Sequence, residues 1–364
     1  MSGKMRESLA DLDRWTREGE EIALATLVRV RGSAPRTPGA RLFVTRSGRM
    51  SGSVSAGCVE NDVFARALQV LQDELPVVAG YGIADELSFQ VGLSCGGSLD
   101  VLIEPFREDA AWRAVRAAVE AERPAALGVG LAPPELVSRR LAVPAEGAPV
   151  GSIDPGLDER LCAEARRLIP RGESREVCLP WGDGEARVFL QAFPPPQRLF
   201  IVGATHTAIA LCRMARGLGF RVHVVDPRGV FATPERFPEA HELLRAWPGE
   251  VLQKARLDAW SYVVTLSHDP KFDIPTLAQA LRSDACYIGA LGSRATQEKR
   301  RKQLLEEGFE EAELARIRGP IGLDLGGRAP EEIALAILAE MVAVRHGREG
   351  AALRSGQAPI HADG

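Results

Sequence analysis

The chain has 364 residues, of which 45% are hydrophobic and 26% charged, and its formal net charge at pH 7 is -4. This length favours two domains, and the composition is that of a globular protein rather than a disordered, fibrous or membrane protein. The mildly acidic balance provides no global basic field, so we expect neither nucleic acid nor an anionic membrane as the main partner.

The first half of the chain mixes helices and strands. Apolar periodicity predicts strands over residues 22–30, 40–45, 48–54, 76–82, 97–105, 126–131 and 185–193. It predicts helices up to residue 18 and over residues 58–73, 110–122 and 157–168. This irregular order predicts a mixed α+β domain over residues 1–195.

Three consecutive prolines, Pro194 to Pro196, indicate a short stiff linker before the second half. Beyond it, strands predicted at residues 198–204, 221–226, 262–267 and 285–292 alternate with helical patterns, and a last helix runs over 330–347. Such alternation is typical of a parallel sheet, so the fold class is α/β, with a C-terminal Rossmann-type domain over residues 196–350. We expect residues 351–364 to form a disordered tail.

The expected cellular compartment determines whether the cysteines should form disulfides. The N-terminus has no apolar signal core and no window reaches the roughly 18 apolar residues of a membrane span, so we expect a cytoplasmic protein. The six cysteines show no CxxC pair and no framework spacing. In a reducing cytoplasm they are therefore interpreted as free thiols.

A dinucleotide-binding pattern lies at the start of the second half. Gly203 occupies the first glycine position of G-x-G-x-x-G, whereas Thr205 and Ala208 occupy the other two, and Asp226 follows at the spacing of a ribose-binding acid. Because the second glycine normally lets the backbone approach the pyrophosphate, the pattern predicts the fold more firmly than a bound NAD(P).

Other polar residues follow predicted strand ends in the same half. His206, His268 and Asp269 are candidates for proton transfer or metal binding, although a helix start at Asp269 is an equally simple explanation. Ser293 and Arg294 precede a basic helix. They are candidates for holding an anion, with a helix N-cap at Ser293 as the alternative.

Two thiols in the first half differ from the other four because small residues frame them. Cys58 follows Ser55 and Gly57 at a predicted helix start, where the helix dipole stabilises a thiolate, and Cys95 precedes Gly96. Glycine beside a cysteine indicates the close approach of a ligand or of another backbone, so we also select Ser55, Gly57 and Gly96 as candidate contacts of a bound cofactor. We interpret both thiols as a nucleophile or metal ligand, although acidic residues directly after Cys58 oppose thiolate formation.

An arginine-bearing segment lies upstream of Cys58. Its arginines stand among Gly, Ser and Pro at positions 31, 36, 41, 46 and 49. Arginine forks and loop amides suit a phosphate, and we select Arg36 and Arg49 as candidate contacts, with surface solubility as the alternative role.

Six motifs in the same order resemble the XdhC/CoxI family of xanthine dehydrogenase accessory factors. They are GSAPRTPGARLFV, SGSVSAGCVENDV, LSCGGSLDVLIEP, VVTLSHDPKFD, YIGALGSRATQEKRR and IRGPIGLDLGGRAPEEIALAILAEMVA. The resemblance covers both ends of the chain and leaves about residues 110–195 without a named motif. The turn GATHTA departs from the family's GAGHVG or GAGHVA at Thr205 and Thr207, while His206 stays in register.

The resemblance implies a maturation factor rather than an enzyme. Such a protein binds molybdenum cofactor, as molybdopterin or its dinucleotide form, while a cysteine desulfurase supplies the sulfido ligand. It then delivers the cofactor to an apo molybdenum hydroxylase of the xanthine dehydrogenase type. Cys58 and Cys95 would hold molybdenum, relay sulfur or protect the site from oxidation, and these roles stay open.

Two other functions remain in view. One is an NAD(P)-dependent oxidoreductase that uses Asp226, His206 and His268. The other is a zinc protein that uses Cys58 and Cys95 with a histidine. The sequence leaves the oligomeric state open. A homodimer is the expectation that fits the apolar last helix, which suits an interface as well as a core.

Overall fold

The structure, a computed structural model, describes residues 3–82 and 97–355 of the chain. Residue contacts divide these residues into two compact units on either side of the bond between Pro195 and Pro196. The first unit contains two antiparallel sheets and the second a single parallel sheet.

The first sheet of the first unit has five strands. In chain order the elements are α1 (Gly3–Arg17), β1 (Ile22–Arg31), β2 (Arg41–Thr45), β3 (Met50–Gly52), α2 (Glu60–Asp73), β4 (Val77–Tyr81) and β5 (Ser98–Pro105). Across the sheet the strands lie in the order β3-β2-β1-β5-β4, and all neighbours are antiparallel. Strand β1 is therefore central.

The second sheet of this unit also has five strands. Its elements are α3 (Ala110–Glu120), β6 (Ala125–Ala132), β7 (Arg140–Pro144), β8 (Val150–Gly151), α4 (Asp158–Leu168), β9 (Ser174–Trp181) and β10 (Gly184–Phe193). The order across it is β8-β7-β6-β10-β9. Strands β7, β8 and β9 were not predicted, since β8 has only two residues and β9 is largely exposed, so neither shows a clear apolar alternation.

The alternation of side chains along β1 explains the layering of this unit. Ala23, Ala25 and Leu27 pack with helix α2 in one cluster, whereas Leu24 and Val28 pack with strands of the second sheet in another. Successive residues of a strand point to opposite faces, so a strand buried on both faces reads as a continuous apolar run. That is the pattern of the β1 sequence.

The second unit contains a six-stranded parallel sheet. Its elements are β11 (Arg198–Val202), α5 (His206–Gly217), β12 (Arg221–Val225), β13 (Glu242–Leu244), α6 (Pro248–Lys254), β14 (Ser261–Thr265), α7 (Pro270–Leu281), β15 (Tyr287–Ala290), α8 (Arg294–Glu306), α9 (Glu311–Leu314), β16 (Ile317–Arg318) and α10 (Pro330–Arg345). The order β13-β12-β11-β14-β15-β16 corresponds to the 3-2-1-4-5-6 arrangement of dinucleotide-binding folds. The predicted fold class, a Rossmann-type domain after a mixed α+β domain, is confirmed.

Helices cover both faces of the parallel sheet. Helices α5 and α10 pack on one face through side chains such as Leu211, Ile337 and Met341, and helices α6 to α9 cover the other through Leu252, Leu277 and other apolar residues. Strand β13 and helix α6 were not predicted as elements, because β13 has three residues and α6 seven. Helix α7 begins directly after Asp269, where a helix start was one of the two alternatives. Among the described residues, no helix has the length and apolar character required to cross a membrane.

Candidate functional site

Cys58 lies in the loop between β3 and α2, two residues before the helix begins. Its thiol is free and half-buried, and its side chain borders the apolar cluster between the first sheet and α2. The helix was predicted to begin at Cys58, but it begins at Glu60. Ala56 and Gly57 have φ angles of 60° and 115°, which a right-handed helix does not allow.

The carboxylate of Glu60 explains this conformation. One oxygen accepts hydrogen bonds from the Ser53 hydroxyl at 2.7 Å and the Ser55 amide at 2.8 Å. The other accepts from the Ser55 hydroxyl and from the Gly57 amide, the latter at 2.7 Å. Burial raises the pKa of Glu60, but the hydrogen bonds from Ser55, Ser53 and Gly57 outweigh it and lower that pKa to about 2.

Asp62, the second acidic residue after Cys58, is also engaged. It accepts from Arg66 at 2.6 Å and from the Tyr81 hydroxyl at 2.8 Å. Burial raises its pKa, and the hydrogen bonds from Arg66 and Tyr81 more than offset this, so the net shift is downward. The sequence suggested that these two acids oppose a thiolate at Cys58; in the structure both carboxylates are directed to other partners.

Cys95 and Gly96 lie outside the described residues. Gly97, the next described residue, packs against the arginine-bearing segment. A Cβ atom on Gly97 would lie 2.3 Å from the carbonyl oxygen of Ser33. Only glycine allows this approach.

The candidate arginines have different environments. Both terminal nitrogens of Arg49 pair with carboxylates, at 2.6 Å with Glu18 and 2.8 Å with Glu20. Arg36 has no ion pair within the described residues, whereas the buried Nε atoms of both Arg36 and Arg49 find no hydrogen-bond partner there. Arg36 is therefore the better candidate for an anion, since Arg49 is already neutralised.

In the second unit, the turn after β11 has the predicted geometry. Gly203 has a φ of 98°, and a Cβ atom there would lie 3.1 Å from the amide nitrogen of Ser267. Thr205, which replaces the second glycine, is the N-cap of α5 and accepts from the Ala208 amide at 3.2 Å. His206 is the first residue of the helix and is exposed.

Asp226 directly follows the last residue of β12, and its carboxylate is already occupied. It is fully buried and accepts from the Ala204 amide at 2.8 Å. The guanidinium of Arg228 binds both oxygens, at 2.9 Å from Nε and 2.8 Å from Nη2. A ribose could bond Asp226 only after Arg228 had moved, a restraint that the sequence did not reveal.

His268 and Asp269 follow β14, which is the neighbour of β11 in the sheet. The two histidines thus lie beyond the carboxyl ends of adjacent strands, at the point where the strand order reverses. Asp269 is the N-cap of α7 and accepts from the Lys271 amide at 3.0 Å, which is the simpler of the roles considered for it. Among the described residues, no three His, Cys, Asp or Glu side chains are grouped to hold a metal ion.

Ser293 is the N-cap of α8 and accepts from the Thr296 amide at 3.2 Å. Arg294 is exposed and lines a cleft of about 350 Å³ between α7, α8 and the segment after β16. A larger cleft, of about 580 Å³, lies beside α3 and β7 and contains none of the candidate side chains.

The chain resembles known proteins in both of its units. The family described as the XdhC Rossmann domain matches residues 199–341, and the one described as the XdhC and CoxI family matches residues 15–82. A Bacillus subtilis protein described as a probable subunit of xanthine dehydrogenase is 30% identical over 92% of this chain and 96% of the relative. The chain belongs to the XdhC and CoxI family.

Two further relatives of this XdhC and CoxI family member cover nearly the whole chain. A molybdenum cofactor insertion chaperone of Escherichia coli, PaoD, is 28% identical over 90% of this chain and 84% of its own. The crystal structure of a xanthine dehydrogenase from Bacillus halodurans matches with a TM-score of 0.68 and 25% identity, over 96% of this chain and 98% of that one. The resemblance inferred from the six motifs is confirmed.

Proposed function

We propose that this chain binds molybdenum cofactor and inserts it into an enzyme of the xanthine dehydrogenase type. The observation that carries the proposal is the similarity to a molybdenum cofactor insertion chaperone, which extends over 90% of the chain. The cofactor is the cargo of such a protein rather than a resident group.

The site around Cys58 has the chemistry for this cargo. A half-buried free thiol is a soft ligand, which suits the sulfido form of molybdenum. Arg36 provides a partly buried guanidinium, without an ion pair among the described residues, for the phosphate or pyrophosphate tail of the pterin. Both residues belong to segments that border the same apolar cluster, through Cys58 itself and through Ala34 near Arg36.

The finer steps of the function are part of the proposal. A cysteine desulfurase would supply the sulfido ligand while the cofactor is bound, and the cofactor would then pass to the apo hydroxylase. Cys95 would act with Cys58 in holding the metal, relaying sulfur or protecting the site. The protein would work in the cytoplasm as a homodimer, with the cofactor as molybdopterin or its dinucleotide.

An NAD(P)-dependent oxidoreductase has less support from the geometry. The strand order favours a dinucleotide, but the carboxylate that would bind its ribose is taken by Arg228 and Ala204. Thr205 also places a branched side chain where the pyrophosphate would approach the backbone. We therefore do not assign hydride transfer to His206, His268 or Asp269.

The test is anaerobic purification after coexpression with cofactor biosynthesis, followed by pterin and molybdenum analysis. We expect pterin on the wild type and clearly less on Cys58→Ala, because losing one ligand of about 1.4 kcal/mol raises the dissociation constant of the cofactor about tenfold. Cys178→Ala is the matched control, because Cys178 is an exposed free thiol of the same unit. Cys95→Ala, analysed in parallel, tests the proposed pair.

The anion contact has its own pair of variants. Arg36→Ala should weaken cofactor binding about tenfold, as expected for one charge-assisted hydrogen bond of about 1.5 kcal/mol. Arg49→Ala should not, because Glu18 and Glu20 hold that guanidinium. Wild-type protein without pterin or molybdenum would refute the proposed function, whereas equal loading of the two cysteine variants and the wild type would refute the role of the thiols alone.

A further inference from the structure

The loop before α2 encloses a negative charge of its own chain. Residues 53, 55 and 57 direct two amides and two hydroxyls at the two oxygens of Glu60. Each of the two hydroxyls donates to Glu60 and also accepts a hydrogen bond from a loop amide. The Ser53 hydroxyl accepts from the Ala56 amide at 2.8 Å, and the Ser55 hydroxyl accepts from the Val59 amide at 2.9 Å. Directly or through a hydroxyl, four loop amides are thus organised by one carboxylate.

Cys58 is enclosed by this network without taking part in it. The amide of the preceding residue, Gly57, bonds the carboxylate, and the amide of the following residue, Val59, bonds the Ser55 hydroxyl. The backbone on each side of the thiol is thereby restrained. The loop also keeps Ala56 at a φ of 60°, a conformation that L-residues other than Asn and Asp rarely adopt and that needs surrounding contacts to persist.

We infer that residues 53–59 form an anion cradle, that Glu60 is the anion that fills it, and that Glu60 is thereby the positioning residue for Cys58. Two observations support a cradle rather than an ordinary helix start. All four donors converge on one carboxylate, and Val59 at the N-cap position gives α2 no side-chain cap. Successive amides and hydroxyls that converge in this way are typical of anion-binding loops.

The cradle has a consequence for the cargo. Because Glu60 occupies its donors, the loop does not offer Ser55 or Gly57 to a phosphate of the cofactor, although both were predicted to contact it. The anionic tail then depends on other groups, such as Arg36. The inference rests on the proposed function only for the importance of the Cys58 thiol.

The test uses cofactor-free full-length protein, so that its failure and a failure of cofactor binding are distinguishable. In Glu60→Ala we expect the amides of residues 55, 56, 57 and 59 to exchange with deuterium about tenfold faster or more, which corresponds to losing about 1.4 kcal/mol of local protection. Alkylation of Cys58, measured on its peptide by mass spectrometry, should accelerate by a similar factor. Formate, a free carboxylate, should enter the emptied cradle and reverse both changes, whereas sodium chloride at equal ionic strength should not.

Asp62→Ala is the matched control, since Asp62 also lies in the first turn of α2 but bonds Arg66 and Tyr81. It should leave the exchange of residues 55–59 unchanged. If Glu60→Ala does not fold, Ser53→Ala removes a single relay and should speed exchange at Ala56 while leaving Val59 protected. Exchange at the wild-type rate in Glu60→Ala would overturn the inference, and so would exchange at the wild-type rate in Ser53→Ala if that variant has to be used instead. A loss of protection in Glu60→Ala that formate does not restore would also overturn it.

Discussion

Asp226 and Arg228 show how one side chain changes the meaning of a sequence pattern. The acid stands at the position of a ribose ligand, yet Arg228 binds both of its oxygens while its guanidinium lies 4.7 Å from the ring centre of Phe231 and 5.4 Å from that of Phe272. Burial raises the pKa of Asp226, but the hydrogen bonds from Arg228 and the Ala204 amide lower it overall. The carboxylate is thus held ionised inside the edge of the sheet.

Replacing Arg228 with Ala should therefore destabilise the folded chain. We expect a loss of about 2 kcal/mol in the free energy of unfolding rather than the roughly 3–5 kcal/mol of a fully buried pair. The reason is that the side chain of Arg228 is 48% exposed and that of Asp226 is not exposed, so water screens one partner. Urea unfolding at pH 7 measures the change.

The pH dependence follows from the lowered pKa of Asp226. A carboxyl group with a lowered pKa in the folded state stabilises that state above its ordinary pKa of 3.8 and loses this contribution as the pH falls through the lower value. The difference between wild type and Arg228→Ala should thus be constant near neutrality and shrink below about pH 4. Arg236→Ala serves as control, because Arg236 donates to the Phe231 carbonyl and not to Asp226. An equal loss in both variants would contradict the assignment.

At the scale of elements, a buried ion pair joins α7 and α8 beneath the edge of the parallel sheet. Arg300 of α8 binds Asp273 of α7, with side chains only 5% and 2% exposed. It also donates to the carbonyls of Leu291 and Ser267, in the segments that precede Ser293 and His268. Basic residues were predicted in this helix, but the sequence does not distinguish the buried Arg300 from its exposed neighbours.

Removing the charge of Arg300 should leave Asp273 buried and unpaired. Arg300→Met is expected to lower the free energy of unfolding by about 3–5 kcal/mol at pH 7. Arg301→Met is the matched control: Arg301 pairs with Glu298 and Glu311 at the surface, so its loss should be about 1 kcal/mol or less. Chemical denaturation of both variants tests this, and similar losses would contradict a structural role of the buried pair.

The pH dependence of this second pair has the opposite sign. Burial raises the pKa of Asp273 in spite of its hydrogen bonds from Thr265 and Arg300, and removing Arg300 should raise it further. An acid with a raised pKa destabilises the folded state once it ionises, and protonation relieves that cost. Arg300→Met should therefore recover part of its lost stability when the pH is lowered from 7 to about 5, a range in which Arg228→Ala should show no recovery.

At the scale of the whole molecule, the fold and the site give different indications about dinucleotides. The strand order is that of an NAD-binding domain, whereas Thr205 and the occupied Asp226 remove two of the contacts that bind NAD. We expect titration calorimetry to show no binding heat for NAD(H) or NADP(H) at millimolar nucleotide. A measurable binding heat with a dissociation constant below millimolar would instead support the NAD(P)-dependent oxidoreductase. It would also count against the interpretation that Arg228 blocks the carboxylate of Asp226.

The order of the chain was sufficient to predict the fold class of both halves, but not the two separate sheets of the first half. Strands and helices that alternate after Pro196 indicate a parallel sheet, because the long crossover between two parallel strands usually contains a helix. The six motifs were sufficient for the family. The short or exposed strands β8, β9 and β13 were missed, since two or three residues, or a half-exposed surface, carry no reliable periodicity.

The amino-acid sequence establishes which residue types occur near Cys58 and at the ends of the parallel strands. Which groups those side chains bind follows from the packing of the chain. Glu60 follows Cys58 by two positions, but it restrains the backbone around Cys58 only because the loop folds back onto its carboxylate. Asp226 and Arg228 are also two residues apart, and only the loop conformation places the guanidinium against the carboxylate. Arg300 and Asp273 are 27 residues apart and meet only when the two helices pack. A hydrogen bond depends on the distance and angle between two groups, and those are determined when the chain packs, after local propensity has already chosen the helices and strands.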